Sequence, residues 1–319
     1  MSIRPATSSF CSKRNMTPKY VTRFSKDELK SFVDSFDVVL SDCDGVLWRE
    51  TEAVPGSPEA VKKFKEMGKR FFYVTNNNTK TREELFRKAK ALNYDASPEE
   101  IVCTSFLTAM YLKEKNFDKT VYIVGSDGIG KELDAVGIKH IGIGPDVMEG
   151  DDDVEMIKAF KPNAEVGAVV VGLDVNFSYP KLTKAATYLN DPNVLFIGTN
   201  CDAEKPSPNS NKFPESGCLI RAVEVATNRR AVILGKPEAY VSQYVIKKYS
   251  LEPKRTLMIG DNCSTDIKLG KRCGFKTLLV LTGVTNSHDF EKMLTATEEA
   301  QQIIPDYYAQ ELLDVVRSL

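Results

Sequence analysis

Asp42 and Asp44 stand one residue apart behind the apolar run Val38-Val39-Leu40, and Gly45 follows them. Along an extended chain, residues i and i+2 point the same way. The two carboxylates therefore share a side and repel each other unless a cation or a shared proton offsets the repulsion. Three more polar stations sit behind apolar runs: Thr75-Asn76-Asn77 after 71–74, Lys236 after 231–234, and Asp261 with Asp266 after 255–259. Gathered in one place, the four aspartates carry −4 against the +1 of Lys236. A phosphate monoester adds about −1.5 to −2. Such a pocket requires a divalent cation, and a donor set made of oxygen alone points to magnesium, Mg2+.

The roles follow from residue chemistry. Asp42 is the expected nucleophile, taking a phosphoryl group as carboxylates do. Asp44 is the expected general acid for the leaving alcohol and then the base for water. Thr75 and the backbone of Asn76 and Asn77 are placed to hold phosphoryl oxygens. Lys236 neutralises charge on nucleophile and phosphoryl group. The metal is assigned to Asp42, Asp261 and the carbonyl of Asp44. Asp266 and Asn262 stand behind these ligands, with Asp266 orienting water or Lys236.

The elements that must position these groups are short apolar runs alternating with amphipathic ones. Strands are expected over 38–41, 71–74, 121–124, 168–171, 194–197, 231–234, 255–259 and 276–280, with helices over 57–67, 81–92, 179–189 and 218–227. A helix closing the chain is expected over 309–316. This rhythm predicts a doubly wound parallel sheet with chemistry at the carboxyl ends of its strands. Ser25 and Glu28 have the spacing of a capping box opening a helix to about Phe36. Residues 204–215, rich in Pro, Ser and Asn, form a loop expected to face the substrate. Gly125 to Lys131 nearly fits a phosphate-binding loop, but Glu132 occupies the position of the metal-binding hydroxyl. It reads instead as a strand-to-helix turn.

Composition bounds the rest. The 319 residues suit two domains or one large one. Net charge is −1, which gives no sign of a nucleic-acid or membrane partner. The seven cysteines are scattered, as expected of free thiols in a reducing compartment. With only His140 and His288, histidine catalysis and a zinc site have little support. Residues 1–26 carry basic but no acidic side chains. They read as a disordered tail in a cytoplasmic protein, with a mitochondrial presequence as the alternative.

The set Asp42-Cys43-Asp44-Gly45-Val46, Thr75-Asn76-Asn77, Gly235-Lys236-Pro237 and Gly260-Asp261 through Asp266 resembles the haloacid dehalogenase superfamily of phosphatases. Order and spacing, with Phe177-Ser178-Tyr179 and Gly217 to Glu224, are similar to the subgroup with a large α/β cap, which includes phosphatases of phosphoglycolate, glycerol 3-phosphate and pyridoxal phosphate. The resemblance implies a Rossmann-like core over 27–105 and 232–319, with an inserted α/β cap over 106–231. It further implies a homodimer formed through that cap and a small phosphorylated metabolite as substrate. Pyridoxal phosphate or phosphotyrosine protein is the alternative. A substrate carboxylate needs a cation, and Arg221, Lys205 and Lys212 are the candidates. Two other classes stay open. A phosphoacceptor signalling domain lacks an acid at the position of Asp44 and is much smaller. A non-catalytic scaffold requires the loss of a functional residue, and none is lost.

Overall fold

Val38–Ser41 and Thr256–Gly260 are buried along their whole length, and Arg70–Thr75 along all but its first residue. Strands covered on both faces read as unbroken apolar runs, and they pair in parallel. The computed structural model describes residues 17–150, 152–205, 211–295 and 303–319. Its main sheet has seven strands in the order Lys19–Tyr20, Tyr307–Ala309, Lys276–Val280, Thr256–Gly260, Val38–Ser41, Arg70–Thr75, Ile101–Cys103. Every neighbouring pair is parallel. From Val38–Ser41 the chain first adds strands on one side and later returns to add them on the other. The switch of direction lies between Val38–Ser41 and Thr256–Gly260, where ligands collect in sheets of this kind.

Between Ile101–Cys103 and Thr256–Gly260 the chain builds a second parallel sheet. Its order is Val232–Ile233, Leu195–Gly198, Val166–Val171, Thr120–Val124, His140–Ile141. Its own core gathers Tyr122, Val169, Val171, Tyr188 and Val223. The fold is thus a Rossmann-like α/β core with a second α/β unit inserted. The expected division at residue 232 runs against the hydrogen bonding, because Val232–Ile233 pairs with Leu195–Gly198 of the inserted sheet. Lys236 therefore follows a strand of the inserted unit, whereas the aspartates follow strands of the main sheet.

Two further expectations are corrected. Residues 17–26 are not a free tail. Lys19–Tyr20 pairs with Tyr307–Tyr308, Tyr20 stacks on Tyr308 at 4.7 Å, and Val21 is buried. The rest of that basic segment, 1–16, lies outside the described residues. The closing helix over 309–316 is instead the strand Tyr307–Ala309 and a 3-10 turn Leu312–Val315. Sheet pairing captures the tyrosines, while one tight turn suffices to bury Leu312 and Val315. Beyond the main sheet, Trp48–Arg49 pairs with Glu52–Ala53 as a short hairpin. The capping box Ser25/Glu28 does open the helix Lys26–Asp34. Among the described residues no helix is long and apolar enough to cross a membrane. Cys43, Cys103, Cys201, Cys218, Cys263 and Cys273 are free.

Candidate active site

Asp42 leaves the main sheet with its N–H still donated to the carbonyl of Ile259 at 2.8 Å. Its carboxylate accepts the N–H of Cys43 at 2.7 Å and lies 2.6 Å from the Lys236 Nζ. Lys236 is almost wholly buried. It also contacts Asp266 at 2.8 Å and donates to the carbonyl of Val74 at 3.1 Å. Burial works against its charge, but Asp266 and Asp42 outweigh that penalty and raise its pKa, so it is a fixed cation.

One carboxylate oxygen from each of Asp42, Asp261 and Asp266 lies within 4.8 Å of the others. Burial, then Asp42 and Asp266, push the Asp261 carboxyl well above the usual range. Burial and Asp42 push Asp266 up to about 7, against the pull of Lys236. Three converging carboxylates with one lysine are under-neutralised, and oxygen donors so grouped fit a divalent cation such as Mg2+. The cluster contains Asp266, which the sequence reading placed behind the ligands, and not the side chain of Asp44. Asp266 rides on the π-helical turn Cys263–Ile267, and its second oxygen accepts the Asn262 N–H at 3.1 Å. The Asn262 side chain caps Ser264. Val284 donates its N–H to Asp261 at 2.7 Å.

Asp44 faces an open cleft of about 740 Å³, its side chain 55 % exposed. The surrounding protein still raises its carboxyl by desolvation, which Lys88 at 3.8 Å opposes and Asp42 reinforces. Gly45 turns away at φ +86°, and a Cβ there would meet the Asp261 carboxylate at 2.3 Å. Only glycine permits that approach.

Thr75 is buried and its Oγ1 accepts the N–H of Asn77 at 3.1 Å. The Asn77 side chain is spent on the N–H groups of Thr79 and Lys80. That of Asn76 clamps Lys236, accepting its N–H at 2.8 Å and donating to its carbonyl at 3.0 Å. Asn76 also donates to Asp202 of the inserted unit at 2.7 Å. Asn78, which sequence reasoning passed over, accepts the Leu173 N–H and donates to Asn200 and Ser216, each at 2.9 Å. It locks the two units together beside the cleft. A third amide in the run Asn76-Asn77-Asn78 was the available signal. Lys88, whose ammonium lies 4.7 Å from the centre of the Trp48 ring, left none, because a lysine in a charged helix looks like surface.

Of the candidate cations for a substrate carboxylate, Lys205 lines the cleft. Arg221 is exposed and paired with Glu224 at 2.5 Å, and Lys212 is exposed and paired with Glu204 at 2.7 Å. Neither lies among the cleft residues. Glu204 and Glu215 of the 204–215 segment do reach the cleft, while 206–210 lie outside the described residues.

A parallel α/β core with an acidic cluster at its switch point, facing a cleft shared with an inserted α/β unit, defines a class of two-unit α/β hydrolases. Residues 39–139 match the family described as haloacid dehalogenase-like hydrolase, and residues 233–315 match a second, HAD-hydrolase-like, family. The chain is 39 % identical over 310 residues to glycerol-3-phosphate phosphatase of Rattus norvegicus, covering 93 % of this chain and 95 % of that one. It is 36 % identical over 297 residues to phosphoglycolate phosphatase 2 of Arabidopsis thaliana, covering 92 % and 96 %. Among solved structures, p-nitrophenyl phosphatase from Archaeoglobus fulgidus superposes with a TM-score of 0.76 at 27 % identity, covering 89 % and 100 %. The chain belongs to the haloacid dehalogenase-like hydrolases.

Proposed function

We propose that this chain is a magnesium-dependent phosphatase that hydrolyses small phosphate monoesters, such as 2-phosphoglycolate and glycerol 3-phosphate, through an aspartyl-phosphate on Asp42. The observation that carries the reading is the contact of Asp42 with the buried Lys236 at 2.6 Å, inside the cluster with Asp261 and Asp266. The names of its relatives support the substrate class. No aromatic side chain lines the cleft among the described residues, so nothing there stacks on a pyridoxal or tyrosyl ring.

Asp42, Asp261 and the Asp44 carbonyl would hold Mg2+, which supplies positive charge to the phosphoryl oxygens when bound. The rest is done by the chain itself. The Asp42 carboxylate attacks phosphorus, and the bond from phosphorus to the ester oxygen breaks. The leaving oxygen takes a proton from Asp44, whose pKa burial and Asp42 raise in the direction a general acid requires. The Asp44 carboxylate then takes a proton from water as that water attacks phosphorus, which frees phosphate and restores Asp42. Lys236, pinned by Asp266 and by Asn76, balances the charge on Asp42. Thr75 and the backbone N–H groups behind it receive the phosphoryl oxygens. The reading includes a homodimer through the inserted cap, supported by the exposed Val175, Tyr179 and Val225 of that unit and tested by light scattering.

The experiment is phosphate release with magnesium over 2-phosphoglycolate, glycerol 3-phosphate, pyridoxal phosphate, a phosphotyrosine peptide and 4-nitrophenyl phosphate, with Asp42→Asn alongside. Turnover of the small aliphatic esters, lost in Asp42→Asn, is expected. Equal rates in the two proteins would overturn the reading.

A further inference from the structure

A leaving group that carries its own negative charge enters a cleft with a strong acidic bias. Acidic side chains outnumber basic ones among the described residues that line it, and the basic ones are Arg49, Lys205 and Lys236. Lys236 is committed to Asp42 and Asp266 and lies buried beneath the phosphoryl position. The expected candidates Arg221 and Lys212 are paired elsewhere. Lys88 is held between Asp44 and the Trp48 ring and does not line the cleft, so two lining cations remain for the leaving group.

Arg49 is the one the fold holds in register with the catalytic pair. It sits on the hairpin strand Trp48–Arg49. Trp48, 1 % exposed, is packed 6.5 Å from the Tyr73 ring and 5.6 Å from the Tyr94 ring. Neighbouring side chains of a strand point opposite ways, so an anchored Trp48 turns Arg49 toward the cleft that it lines. The strand is tied to the acid itself: Gly45 donates its N–H to the Trp48 carbonyl at 2.8 Å, and Asp44 bridges to Trp48. One Arg49 nitrogen donates to the carbonyl of Thr282, whose hydroxyl in turn bonds the Gly45 carbonyl at 2.6 Å. A guanidinium has five N–H donors. Although Glu50 and Glu52 share its hairpin, Arg49 forms no ion pair with any described residue, so most of its fork is free to bind a ligand.

We infer that Arg49 is the specificity-determining residue that reads a carboxylate on the leaving group, favouring phosphate esters of small hydroxy acids over those of uncharged alcohols. The inference rests on the phosphatase reading above. A planar fork matches a carboxylate in two parallel hydrogen bonds, which a lysine cannot reproduce. Lys205 lies close enough for its charge to act on Asp44, but its hairpin, Glu204–Lys205/Phe213–Pro214, shares no hydrogen bond with the Asp44–Gly45 turn among the described residues.

The test compares kcat/KM for 2-phosphoglycolate with that for glycerol 3-phosphate in the full chain with magnesium, for wild type, Arg49→Met, Arg49→Lys and Lys205→Met. Glycerol 3-phosphate serves as the reference within each variant, so a loss of folding cancels. Arg49→Met is expected to lower the ratio about ten- to a hundredfold, mainly through KM, with Arg49→Lys restoring part of it. An unchanged ratio, a larger fall in Lys205→Met, or a wild type that turns over glycerol 3-phosphate but not 2-phosphoglycolate would overturn the inference. A wild type inactive on both esters and on 4-nitrophenyl phosphate would overturn the phosphatase reading itself.

Discussion

At the scale of the residue, two carboxyl groups separated by one position have different surroundings, and the proposed mechanism gives them opposite tasks. Asp42 sits against a buried lysine, which suits the proposed nucleophile. Asp44 opens onto the cleft with its pKa raised, which suits the proposed acid. Asp44→Asn should therefore cut turnover of glycerol 3-phosphate by about 10²- to 10⁴-fold. It should spare the first, single-turnover release of nitrophenolate from 4-nitrophenyl phosphate, because nitrophenolate leaves without a proton, while steady-state turnover still falls because Asp44 is also the base for the attacking water. The pH dependence has a definite sign. An acid acts only while protonated, so the rate on the alkyl ester falls as pH rises through the raised pKa of Asp44, and this limb is absent in Asp44→Asn. Asp266 makes a separate prediction about stability. Its folded pKa of about 7 exceeds the unfolded value of 3.8, so between these the folded state holds more protons than the unfolded one. Its contribution is fully present below about pH 4 and is lost as pH rises through 7. Thermal melts in chelator should show the wild type losing stability over this window relative to Asp266→Asn.

At the scale of the element, the eight expected strands were legible, whereas strand Ile101–Cys103, helix Thr104–Glu114 and the shortest pieces were not. The buried strands announce themselves because parallel pairing covers both faces and leaves only apolar positions. Hairpin Trp48–Arg49/Glu52–Ala53 and strand Tyr307–Ala309 are two or three residues long, too short for any period to show. They form because a partner already waits, a tertiary influence no window of sequence contains. The same limit hid Arg49, whose meaning depends on Trp48 being anchored behind it. The four polar stations were visible since each follows a strand, but the membership of Val232–Ile233 in the inserted sheet was not. Turns carry precision of their own. A Cβ on Gly283 would lie 1.8 Å from the Asp261 carboxylate. Gly283→Ala should displace Asp261 and weaken magnesium binding by about 10–100-fold. The measure is the thermal shift produced by titrated magnesium, and an unaltered midpoint would show that the turn does not fix the ligand.

At the scale of the whole molecule, the site belongs to both units. The main sheet supplies the aspartates, the return from the inserted sheet supplies Lys236, and the loop Asn76–Asn78 binds the two through Asp202, Asn200, Ser216 and Leu173. Asn78→Ala leaves the Leu173 N–H without its acceptor and removes a donor from Ser216 at a buried position, while Asn200 keeps the Thr199 hydroxyl. A loss of about 1–3 kcal/mol is expected, read as a lower Tm, together with a raised KM as the walls of the cleft come apart. A variant with normal Tm and KM would show that the two units are held by other contacts.

The central claim is that phosphate passes through Asp42. Enzyme quenched in acid during turnover with magnesium, reduced with borohydride and mapped by peptide mass spectrometry tests it directly, because an acyl phosphate is reduced to an alcohol and a free carboxylate is not. Homoserine at position 42, absent without substrate and in Asp42→Asn, is the predicted result. An unmodified Asp42 in enzyme that traps phosphate on another residue would contradict the account.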